Sequence, residues 1–176
     1  MRGPRFTALL ALAPLLSSSL SGCDLTGTLL KAQVDGTNEF AAAKGQEMAD
    51  PEMVGPVMAA GVVTNEGFLY YVPEYEPLIQ STVFGNIAYG VGWLGSAAKQ
   101  AEQEGKYEQV EHLNKRARLL FARALNLTKR MLRLRDEGFD QALAGGIDVF
   151  KVWVDENFFT KEDAPIMLTA GMAYFV

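Results

Sequence analysis

Tyr107, Val110, Leu113, Ala117, Leu120, Ala124, Leu127, Met131 and Leu134 recur at steps of three and four residues. That spacing predicts one amphipathic helix of about eight turns over residues 107–135, its apolar stripe turned to a core. From Lys115 onward its other face is basic: Lys115, Arg116, Arg118, Arg123, Lys129, Arg130, Arg133 and Arg135, with no acid among them. Two readings follow. Either acids of neighbouring helices pair with this face, helped by the cation preference of a helix C-terminus, or Arg116, Arg118 and Arg123 form a docking surface for an acidic partner. Pairing is the expected one.

The other elements are also helical. Asp50-Pro51-Glu52 reads as a helix start: Asp as cap, Pro where its missing N–H costs nothing, Glu at the positive dipole end. This helix is predicted to reach Tyr71, with a kink at Pro56. Pro73-Glu74-Tyr75-Glu76-Pro77 forces a turn. The next helix, over residues 77–104, is rich in small residues: Gly85, Ala88, Gly90, Gly92, Gly95, Ser96 and Ala97. A glycine inside a helix costs about 1 kcal/mol relative to Ala, so close helix–helix approach is expected there as the offset. Residues 83–98 are almost uncharged, but the run is too short to span a bilayer and contains Asn86; it is predicted to be a buried core helix. Gly105 and Gly138 end helices, and another is expected over residues 148–157. Asp163 is expected to cap a last helix with Pro165 in its first turn. That helix, residues 164–176, is apolar nearly throughout and needs covering on more than one side, by chain beyond Val176 or by another subunit.

The first residues follow a different pattern. Arg2 and Arg5 precede an apolar run over residues 6–16, which is short for a bilayer and interrupted by Pro14. A Ser-rich stretch leads to Leu20-Ser21-Gly22-Cys23. This resembles the bacterial lipobox: small residues fit the peptidase groove, and the Cys sulfur accepts the lipid. Residues 1–22 are therefore expected to be a lipoprotein signal peptide and Cys23 to be lipidated. Residues 23–49 are expected to form the lipidated Cys and a flexible tether, with a short helical piece near residues 39–44. Residues 50–176 are the expected all-α domain, an antiparallel helix-hairpin bundle.

Composition sharpens this. Cys23 is the single Cys, so no internal disulfide forms. The formal net charge is −5, and losing Arg2 and Arg5 makes it more negative, which argues against nucleic acid as a partner. The single His, His112, sits among charged residues and is expected to be solvent-exposed. Glu102, Glu104, Glu108 and Glu111 lie at ordinary spacings on polar faces. No catalytic, phosphate-binding or metal-ligating pattern appears, so neither an enzyme nor a cofactor is expected.

Trp93-Leu94-Gly95, Ala98, Gly105-Lys106-Tyr107, Ala117 and Phe121 loosely resemble a tetratricopeptide repeat, with stretched spacing. The whole order of motifs resembles the T component of TRAP transporters, the TatT-type lipoproteins: a lipobox, a start like Asp50-Pro51-Glu52, a segment like residues 59–71 with Glu66-Gly67, a turn as at Pro73, then Ala88-Tyr89-Gly90. The basic stretch from Arg116 to Ala124 and Lys161-Glu162-Asp163-Ala164-Pro165 complete it. The resemblance implies a non-enzymatic, tetratricopeptide-like protein facing the periplasm. It implies a TRAP-type periplasmic solute-binding protein as partner, a homotrimer with pores, and a small apolar or organic-acid ligand. It also implies a further helical stretch beyond Val176. The alternative reading is a helical-repeat scaffold lipoprotein in envelope assembly. Asp24, directly after Cys23, resembles the signal that retains lipoproteins in the inner membrane of enteric bacteria.

Overall fold

A computed structural model describes residues 22–44 and 50–175. Residues 1–21 of the expected signal peptide, with the lipobox residues Leu20 and Ser21, lie outside the described residues. The chain runs through α1 (Gly22–Lys44), α2 (Pro51–Tyr71), α3 (Glu76–Ala88), a π-helical segment (Tyr89–Gly95), α4 (Ser96–Gln103) and α5 (Tyr107–Arg135). It continues through α6 (Phe139–Ala144), α7 (Ile147–Asn157), a 3-10 turn (Lys161–Asp163) and α8 (Ala164–Phe175), with no strand among the described residues. The fold is all-α, as the periodicity predicts.

Helix α5 is the central element; α3, the π segment, α4 and α8 all pack on it. Leu78, Ile79 and Val83 of α3 meet Ala124, Leu127 and Met131 of α5, together with Phe139, Trp153 and Ile166. A second apolar cluster joins Leu94, Ala98, Leu113 and Ala117. The predicted stripe drifts at its ends. Tyr107 is 72% exposed and Leu134 is 42% exposed, while Thr128 and Leu132 are buried instead. Alternating steps of three and four residues do not hold a straight helix of 3.6 residues per turn to one face over its full length.

The long small-residue helix differs from expectation at its middle. Residues 77–104 are one continuous helical path, but Tyr89–Gly95 is π-helical. The expected close approach occurs here: a Cβ on Gly90 would lie 2.4 Å from the Phe121 ring, and one on Gly85 would lie 3.1 Å from Val62. On α2, a Cβ on Gly55 would lie 2.3 Å from the Trp93 indole. Asn86 is buried; its amide donates to the Thr82 carbonyl at 2.8 Å, and the Thr82 hydroxyl donates to the Leu78 carbonyl at 2.6 Å. Gly105, at φ 71°, closes α4 in the left-handed region that other residues disfavour.

Over residues 22–44 the chain is a 23-residue helix, where the sequence predicts a short helical piece near residues 39–44 of the tether. It is held to the body by Val34, buried to 4%, and by Tyr75, whose hydroxyl donates to Asp35. Docking against α2 and α3 supplies what a sequence with several Gly and Thr residues lacks on its own. Asp163 stands directly before α8, and Thr160 caps the 3-10 turn that leads into it: the Thr160 N–H and hydroxyl both donate to the Asp163 carboxylate, at 3.0 and 2.8 Å.

Candidate functional site

The basic face of α5 divides into paired and unpaired cations. Arg123 forms a two-pronged ion pair with Glu66 of α2. Arg133 does the same with Asp140, at 2.7 and 2.8 Å. Arg135 reaches Asp163 at 3.0 Å and Glu76 at 3.7 Å, tying the end of α5 to the starts of α3 and α8. These are the neighbouring acids that the pairing reading expects. Arg116 and Arg118 are exposed and make no ion pair among the described residues. At 3.6 residues per turn they stand about 200° apart. Arg116 shares a flank with Arg123, seven residues on, and Arg118 lies on the opposite flank. The three expected docking residues therefore do not form one patch. His112 is exposed, and Glu104 is engaged by Lys106 and Gln100, which hold its carboxyl below the usual range.

Two apolar recesses had no sequence signal. One is a groove of about 500 Å³ between the α3–π segment and α8, walled by Phe84, Ile87, Val91, Met172 and Phe175. Phe175 is 93% exposed at its edge. The second is a more enclosed cavity of about 200 Å³, walled by Leu132, Phe150, Trp153, Val154, Met167 and Tyr174. The wall here is shaped by aromatic packing: Phe150 stacks on Trp153 at 5.5 Å, and Phe139 meets the same indole edge-on at 5.3 Å. Asp136 fixes the indole by accepting from Trp153 Nε1 at 2.6 Å while accepting the Gly138 N–H at 2.9 Å. Tyr174 is the polar group in the lining, and burial pushes its hydroxyl pKa up. No charged side chain lines either recess.

Helix α8 thus covers one side only. Ile166, Thr169, Ala170 and Ala173 are buried, while Leu168 and Phe175 face outward. The expectation that this helix needs a second cover meets an uncovered face here. Among the described residues no group of three or more His, Cys, Asp or Glu could hold a metal ion. Among them, too, no helix is long and apolar enough to cross a membrane.

The described residues form a helical body with apolar recesses and flanking cations. The chain belongs to the family of TRAP transporter T-components, whose family model matches residues 47–175. No curated protein and no solved structure matches the chain. Membership gives the chain an accessory role in TRAP transport and an association with the cell envelope.

Proposed function

We propose that this chain is a periplasm-facing lipoprotein that serves a TRAP-type transport system by binding its solute-binding subunit, without catalysis of its own. The observation that carries the reading is the family match over residues 47–175. Lipidation is assigned to Cys23 on the strength of Leu20-Ser21-Gly22-Cys23, and Asp24 favours the inner membrane. The helix pairs are read as tetratricopeptide-like and the assembly as a homotrimer. Arg123 is committed to Glu66, while Arg116 and Arg118 make no ion pair among the described residues, so docking is assigned to these two as separate contacts on opposite flanks of α5. The ligand is neutral and apolar rather than an organic acid: both recesses lack a cation to balance a carboxylate, and burying an unpaired charge is costly.

The test is recovery from native membranes. Pull-down of the lipidated protein is expected to bring down a periplasmic solute-binding subunit, and Arg116→Glu with Arg118→Glu is expected to cut that recovery several-fold. Wild-type protein that never recovers such a subunit would overturn the reading.

A further inference from the structure

We propose that the cavity between α5, α7 and α8 is a binding site for a neutral molecule built on a single hydrocarbon ring, and that Gly171 keeps it open. The proposal rests on the apolar-ligand reading above and selects one recess and one size of ligand. Met167, Ala170, Gly171 and Tyr174 recur at three- and four-residue spacings, so they share one face of α8, and that face lines the cavity. The other walls are Leu132 of α5 and Phe150, Trp153 and Val154 of α7. Native interiors leave few voids larger than a water molecule. This one, at about 200 Å³, is several times a water's share of about 30 Å³.

Glycine leaves the space. A Cβ at residue 171 meets nothing within 4 Å, so a larger residue fits there. Glycine is also a poor helix former. Packing and helix propensity both favour a side chain at position 171; a chamber that must stay vacant for a ligand favours none. The facing wall is fixed. Asp136 accepts from Trp153 Nε1 at 2.6 Å, and Phe139, Phe150 and Phe158 meet the indole with ring centroids at 5.3, 5.5 and 5.5 Å. A wall held in this way does not fold in to fill the gap, and little freedom is lost when a ligand enters. Size and polarity name the ligand class. An apolar cavity of about 150 Å³ stays dry and takes benzene, so this one takes one ring with about one or two further carbons. No charged side chain lines it, so a carboxylate would lose its hydration without a counter-charge. Arg133 acts on the Tyr174 hydroxyl from outside the lining, but it is committed to Asp140.

Acylated protein labelled with fluorotryptophan and held in lipid nanodiscs tests this. Its two tryptophans give one fluorine line each, and Trp93→Phe assigns them. Toluene is expected to move the Trp153 line along a saturating curve and to leave the Trp93 line in place. Benzoate at the same concentrations is expected to move neither. Gly171→Leu, which fills the chamber, is expected to abolish the toluene shift while the Trp93 line keeps its wild-type position. In the wild type, a Trp153 line that stays put, that moves in proportion to toluene without saturating, or that responds equally to benzoate would overturn the proposal. So would a Gly171→Leu protein with the wild-type shift. A saturable Trp153 shift in a protein that recovers no solute-binding subunit would overturn the transport reading and leave the site standing; recovery of the subunit without the shift would do the reverse.

Discussion

Gly90 and Gly61 are both helical glycines, and they should respond to alanine in opposite directions. At Gly61 an added Cβ meets nothing within 4 Å. Gly61→Ala is expected to raise stability by about 0.5–1 kcal/mol, the usual gain from removing backbone freedom in a helix. At Gly90 the same methyl lies 2.4 Å from the Phe121 ring. Overpacking costs about 1–3 kcal/mol, which exceeds the gain, so Gly90→Ala is expected to lose on the order of 1 kcal/mol. Urea denaturation of the two variants checks the pair; a stabilised Gly90→Ala would mean that Phe121 swings aside freely. The sequence shows that this run is rich in small residues. It does not show which glycine touches a ring, because the answer lies in Phe121 on another helix.

Asp163 shows how one element reports its own integrity. Thr160 donates twice to its carboxylate and Arg135 once, and these bonds hold its pKa below the ordinary value of 3.8. The folded state therefore binds the proton less tightly than the unfolded one. This stabilisation is fully present above about pH 5 and declines as pH falls through the unfolded value towards the folded pKa. Asp163→Asn is expected to flatten the acid limb of the stability–pH curve below about pH 5. An unchanged limb would show that α8 does not depend on this cap. Element starts and stops were legible because their causes are local: Pro51, Gly105 and Gly138 act through their own backbone. The π segment was not legible, since a short run of wider turns leaves the apolar pattern looking helical. The full length of α1 was not legible because its stability comes from Val34 and Tyr75 meeting the body. Of the basic face, the cations were visible. Which of them are neutralised depends on Glu66, 57 residues away from Arg123.

For the whole molecule, the lipid attachment assigned to Cys23 sets where everything else acts. Cys23→Ser is expected to abolish fatty-acid labelling and release the chain from membranes or leave it as precursor, because a hydroxyl does not replace the thiol acceptor. Persistent labelling would refute the assignment. On a density gradient the wild-type protein is expected with the inner membrane and Asp24→Ser with the outer. Wild type in the outer-membrane fraction would remove the sorting role of Asp24 and leave the anchor in place. Helix α1 then has a kinetic consequence. A flexible linker of the same length would let the body wander over roughly 30 Å in every direction. A docked helix withdraws that freedom, so the recesses and the arginines travel in a thin sheet at a fixed height. A permease held in the same membrane would meet them by lateral diffusion in two dimensions, at a local concentration that a loose leash would dilute.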